Sequence, residues 1–144
     1  MQLLDLRRTC LRAGLTAVAL ALLPWIAVSS LADPVGECQA STTNQVETTQ
    51  CLTDTLGAAN QVMDLALQDA QAKADSLDQV TGRVVARPAL DQSQAEWTTF
   101  RDTNCAVRSA FAGGASGSGQ FVASCAIGMT RLRTEELRAI ASGG

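Results

Sequence analysis

The residues of this chain best suited to chemistry are Cys38, Cys51, Cys105 and Cys125, with a fifth cysteine, Cys10, near its start. Zinc sites and redox dithiols place cysteines in tight Cys-x-x-Cys pairs, and the gaps here are far wider. Cys10 leaves with the signal peptide read below, and the even number of cysteines that remains in an exported chain reads instead as two structural disulfides. Other catalytic chemistry lacks its parts. The sequence has no histidine and no tyrosine, and Lys73 is its only lysine. Neither a Ser-His-Asp nor a Cys-His arrangement can be assembled, and histidine-ligated metal is excluded. The carboxylate pairs Asp75/Asp78 and Glu135/Glu136 fall in polar helical stretches and read as solvated faces. The glycine run Gly113–Gly119 lacks the Gly-Lys-Ser/Thr ending of a phosphate loop. The chain is therefore not read as an enzyme, and no cofactor or metal is implied.

The export assumed above comes from the first residues. Arg7, Arg8 and Arg12 precede an apolar run from Ala13 to Val28, which ends in Ser30-Leu31-Ala32. A basic head, an apolar middle and a small-x-small tail make a secretory signal peptide, with cleavage expected after Ala32. The apolar run is short for a membrane span and is broken by Pro24, so a retained anchor ranks lower. Arg7-Arg8 loosely resembles a twin-arginine signal, but Sec export is the default reading. No cysteine follows the cleavage point directly, which argues against a lipid anchor. The expected organisation is a signal peptide over 1–32 and one domain over 33–144, in the periplasm or secreted.

Cleavage lowers Lys+Arg from 11 to 8 and Asp+Glu from 14 to 13, leaving a net charge of −5. An acidic domain is a poor nucleic-acid binder. The mature chain of 112 residues has few aromatics: Trp97, Phe100, Phe111 and Phe121. A core of that kind is thin, and cross-links would support it.

The elements that must position the cysteines read as helices throughout. Asn44-Gln45-Val46-Glu47 fits a capping box. Leu52, Leu56, Ala59, Met63, Ala66, Ala70, Ala74 and Leu77 then recur in steps of three and four, predicting a helix over about 44–80 that stops at Thr81-Gly82. A second helix is expected from Asp91, whose Asp91-Gln92-Ser93-Gln94 resembles another capping box. Its expected buried stripe is Trp97, Phe100, Asn104, Val107 and Phe111. A third is expected over about 120–140, with Phe121/Val122, Cys125, Met129, Leu132, Glu136/Leu137 and Ile140 inward. Between the last two lies a glycine loop that no helix tolerates. The fold class is all-α: one long helix packed on an αα-hairpin. Four cysteines allow three connectivities. Cys105 and Cys125 are equidistant from the hairpin pivot near Ala115, which favours Cys105–Cys125 and, more weakly, Cys38–Cys51 across the turn before the long helix. Each loop closed is worth about 3 kcal/mol in the chain-entropy account.

The run Gln94-Ala95-Glu96-Trp97-Thr98-Thr99-Phe100-Arg101-Asp102-Thr103-Asn104-Cys105 resembles a family signature of Gln, Trp, Arg-Asp and Cys on one helix. Gly113-Gly114, Cys125, Thr130-Arg131-Leu132-Arg133 and Leu137 follow in the same order. Together with Cys38 and Cys51, they resemble the LprI-like lysozyme-inhibitor domain over about 38–140. The long helix departs from the family pattern: Asn60, Met63-Asp64 and Leu67 stand where the family carries Asp, Leu-Asn and Tyr. The resemblance implies an exported, non-enzymatic inhibitor of lysozyme-type glycosidases, whose partner is lysozyme or another envelope protein. The alternative is a structural or accessory protein of the envelope.

The signature residues Gln94, Trp97, Arg101, Asp102, Thr130, Arg133 and Leu137 read as structural, with Trp97 in the core and Arg133 opposite it across the hairpin, close enough to stack. The loop residues Gly113, Gly114, Ser116, Gly117, Ser118 and Gly119 are the candidate partner-binding segment. The loop is longer than a helix hairpin needs, and spare length on a rigid base is where binding function collects.

Overall fold

Asn44 starts the dominant element of the fold. The computed structural model describes residues 33–143, and the signal peptide read over 1–32 lies outside the described residues. In it, Asn44 Oδ1 accepts hydrogen bonds from the N–H groups of Val46 and Glu47, both at 3.0 Å, and Glu47 reaches back to the Thr43 N–H at 2.8 Å. Two otherwise orphaned ends are thereby satisfied reciprocally. Helix α2, Gln45–Thr81, follows and ends at Gly82, whose φ of 66° closes the helix left-handed, as the Thr81-Gly82 pair predicts. A short helix α1, Pro34–Gln39, precedes it; the sequence reading had only a turn there.

Helix α3, Ala86–Phe111, begins five residues before the expected Asp91. The reason is Asp78 on α2. Its carboxylate accepts from the N–H groups of Val85, Ala86 and Arg87 at 3.0, 2.8 and 3.0 Å, so a side chain from the preceding helix supplies the cap. Pro88 then sits in the first turn, where its missing N–H costs nothing. Asp91 is no cap. It lies one turn further on, bound to Arg87 and Gln71. Helix α4, Ser118–Ser142, completes the fold.

The contacts fix the directions. Gln120 at the start of α4 meets Gln45 and Thr49 at the start of α2, so these two helices run parallel. Arg101 of α3 meets Asn60 and Gln94 meets Met63, so α3 runs antiparallel to both. This is the expected long helix on an αα-hairpin. The α2–α4 contact is the most extensive, because Ala66, Ala70 and Ala74 let Leu137 approach closely. With Met63 and Leu90 they form one core cluster; Cys38, Leu52 and Ile127 form a second below α1. Both disulfides pair as the pivot argument favours: Cys38–Cys51 ties α1 to α2, and Cys105–Cys125 ties α3 to α4. Among the described residues no helix is long and apolar enough to cross a membrane.

The expected inward stripes on the hairpin need correction. Phe100, Val107 and Phe111 of α3, and Phe121, Leu132 and Ile140 of α4, are all exposed. The buried face of α3 carries Leu90, Gln94 and Cys105, with Trp97 and Arg101 half-buried beside them; that of α4 carries Ala126, Ile127, Thr130, Arg133, Thr134 and Leu137. Polar residues thus occupy much of the interior, and the large apolar ones remain outside. Leu77 of α2 is likewise exposed.

Candidate functional site

Two regions compete for function, and their geometry separates them. The first is the signature cluster. Trp97 packs against the first core cluster, with the guanidinium carbons of Arg101 and Arg133 at 5.3 and 5.8 Å from its ring centroid. Both arginines are nearly buried, and a buried charge persists only when its donors are satisfied. Arg101 donates to Asn60 Oδ1 at 3.1 Å, Thr130 Oγ1 at 3.2 Å and Asp102 Oδ1 at 2.9 Å. Arg133 donates to Gln94 Oε1 at 3.0 Å, Ser93 Oγ at 3.2 Å and Glu136 Oε2 at 3.0 Å. Gln94 donates in turn to the Met63 sulfur at 3.6 Å. Thr130 and Leu137 are fully buried. The structure therefore brings Gln94, Trp97, Arg101, Thr130, Arg133 and Leu137 together at the seam of three helices, with Asp102 on its solvent edge. Each guanidinium makes three hydrogen bonds to protein acceptors here, and among the described residues no buried side-chain nitrogen or oxygen lacks a partner, which favours a structural role for the cluster. Asn60, one of the positions departing from the family pattern, is one of those acceptors. Leu67 packs on the core, and Asp64 is exposed.

The second region is the loop end of the hairpin. The connection between α3 and α4 is Ala112–Gly117, with Gly113, Gly114 and Gly117 at φ of 64°, 72° and 101°. Left-handed backbone of this kind is the reason for glycine there. Ser118 and Gly119, read from sequence as loop, form the first turn of α4. The loop is exposed over Gly113–Ser116, and its footing is fixed on two sides. The Cys105–Cys125 bridge joins the helices about two turns below it. Gln120, buried at the start of α4, donates to the Gln45 carbonyl at 3.2 Å and to Thr49 Oγ1 at 3.1 Å, which ties the loop base to α2. The result is a slender projection on a rigid stem.

The sequence reading missed what lies beside the loop. The outward face of α4 forms the floor of an open groove of about 630 Å³, walled by Asp33 and Pro34 on one side and by Arg108 and Phe111 on the other. The signal for it was present as the apolar spacing of Phe121, Leu132 and Phe111, which was assigned to the core. Helix α1 is held against α4 by Glu37, which receives two hydrogen bonds from Arg131, at 3.0 and 2.9 Å. Those hydrogen bonds, with the arginine's charge, hold the Glu37 carboxyl below its ordinary value.

Comparison with known proteins bears on which region matters. No curated protein and no solved structure matches the chain. One protein-family profile does, over residues 38–137, which takes in both disulfides, the Trp97 cluster and the glycine loop. That profile describes the lysozyme inhibitor LprI, and with most of its length matched the chain belongs to the LprI lysozyme-inhibitor family.

Proposed function

We propose that this protein is exported to the cell envelope, by cleavage of its first 32 residues, and there inhibits a lysozyme-type glycosidase by inserting the Ala112–Gly117 loop into the enzyme's cleft. The observation that supports this reading is the loop's construction: glycine-rich, exposed and clamped at its base. Lysozymes act with a pair of carboxylates in an open cleft. A loop with no side chains at Gly113, Gly114 and Gly117 is thin enough to enter one, and the Ser116 hydroxyl and the N–H groups of Gly114 and Ser116, which are not used within the turn, are donors to carboxylates. Clamping reduces the entropy lost on binding. The acidic mature chain is drawn to cationic lysozymes, within a range that physiological salt limits to about 8 Å.

The experiment deletes Ala115 and Ser116, keeps both disulfides, and confirms a cooperative melt. Lysis of cell walls by several lysozyme classes is then measured with each form. The intact protein is expected to inhibit at least one class and the shortened form to lose that inhibition. Equal inhibition by both removes the loop from the mechanism. No inhibition by the intact protein removes lysozyme and leaves an accessory protein of the envelope.

A further inference from the structure

Among the described residues nothing covers the outward face of α4. Phe121 and Leu132 on the groove floor are half-exposed, and Phe111 on its rim is 89% exposed. The apolar strip continues along α3 through Val107 and Phe100, which share the Phe111 face by their spacing of four and seven residues. An amphipathic helix normally turns such a strip toward a neighbour. Here α4 has its neighbours, α1, α2 and α3, on other sides.

Two observations identify the missing neighbour as a second copy. The first is area. These five side chains leave on the order of 500 Å² exposed per chain, at the upper end of what a monomer carries as its largest patch. Paired with itself, the strip removes about 1,000 Å² from water, which is where specific interfaces begin. The second is charge. Asp33 lies in one wall of the groove and Arg108 in the other. Among the described residues neither takes part in an ion pair. A twofold axis running along the groove lays two grooves face to face and sets each Arg108 wall against the Asp33 wall of the other copy. The surface is therefore complementary to itself, as a twofold interface requires. Phe111, projecting from the rim, then enters the facing groove.

We propose that the protein forms a homodimer through the outward face of α4 and the Phe100–Val107–Phe111 strip of α3, with Arg108 paired to Asp33 of the other copy. The inference is independent of the lysozyme reading. It rests on an apolar face, and that reading rests on a polar loop.

The test uses the processed protein recovered from the envelope fraction of expressing cells. Its mass in solution is measured by sedimentation over about 1–100 µM, the range that brackets an interface of this size. A concentration-dependent mass reaching twice that of the chain is expected. Phe111→Glu and Leu132→Glu are each expected to give monomers that melt as the wild type does at concentrations where it too is monomeric, since both side chains are exposed. Asp33→Asn, which keeps the cap on α1, and Arg108→Gln are expected each to weaken the dimer severalfold, and the double variant no more than either alone. A monomeric wild type overturns the proposal, as does a dimer indifferent to Phe111→Glu and Leu132→Glu. Inhibition assays on the same samples keep the two readings apart. An inhibiting monomer sinks the dimer only, and a dimer that inhibits nothing sinks the lysozyme reading only.

Discussion

Trp97 and Phe111 are large aromatics on the same helix, and spacing alone assigns both to the core. The structure splits them: Trp97 packs on the core beside two arginines, and Phe111 stands 89% exposed at the groove rim. Opposite outcomes follow for the same substitution. Trp97→Ala removes buried ring surface and the stacking partner of Arg101 and Arg133, so a loss of about 3 kcal/mol or more is expected. Phe111→Ala is expected to change stability by less than about 0.5 kcal/mol, the usual range for surface positions, when both proteins are compared at concentrations too low for self-association. Urea unfolding of the two variants decides it. A Trp97→Ala protein with wild-type stability would show that the cluster is not structural, and would reopen it as a binding site.

At the scale of elements, the connection from α2 to α3 hangs on Asp78. Its carboxylate accepts three backbone N–H groups, and those hydrogen bonds, foremost that from Arg87, hold its carboxyl below the ordinary value. A carboxyl depressed in the folded state stabilises above its unfolded value and loses that contribution as pH falls through the folded one. The protein is therefore expected to weaken on acidification below about pH 4, the ordinary aspartate value. Asp78→Asn keeps one of the two accepting oxygens and removes the charge, so its thermal melts, lower overall, should vary less with pH over that range. A variant with the wild-type slope would show that other carboxylates govern acid stability. The same residue shows why the sequence was only partly legible. The Asn44 cap, the Gly82 stop and the glycine loop are local signals, and each is found where its residues stand. The start of α3 is set by a residue on another helix, which local pattern cannot reveal, so the sequence points to the visible Asp91 instead. The stripes failed for a related reason. The interior between α3 and α4 is filled by Gln94, Arg101, Thr130 and Arg133, whose burial depends on partners across the bundle. Hydrophobic spacing therefore pointed at the groove and away from the core. The Cys105–Cys125 pairing and the Trp97–Arg133 approach are legible because both depend only on distance from the hairpin pivot, and Cys38–Cys51 is legible from the turn before the long helix.

For the whole molecule, the polar interior raises the question of what holds three helices together. The two core clusters are small, with alanines forming half of one and a disulfide cysteine in the other. A chain with so little apolar interior depends on its staples. The bridges close segments 13 and 20 residues apart, each worth about 3 kcal/mol by constraint of the unfolded chain. Together they approach the whole stability of many small domains, about 5–15 kcal/mol. Reduction is accordingly expected to unfold the protein or bring its melting close to growth temperature, followed by circular dichroism with and without reductant. This dependence also ties the fold to an oxidising compartment, since a reducing cytosol would leave the thiols open. The protein recovered from the envelope should therefore begin at Asp33, lack any acyl adduct, and weigh two hydrogens less for each bridge. Peptide mapping without reductant should recover Cys38 with Cys51 and Cys105 with Cys125. A Cys38–Cys105 or Cys51–Cys125 peptide would overturn the pairing, and a mass that retained residues 1–32 would overturn the export route. A reduced chain that melted like the oxidised one would show that the polar seam around Trp97 holds the bundle without its bridges.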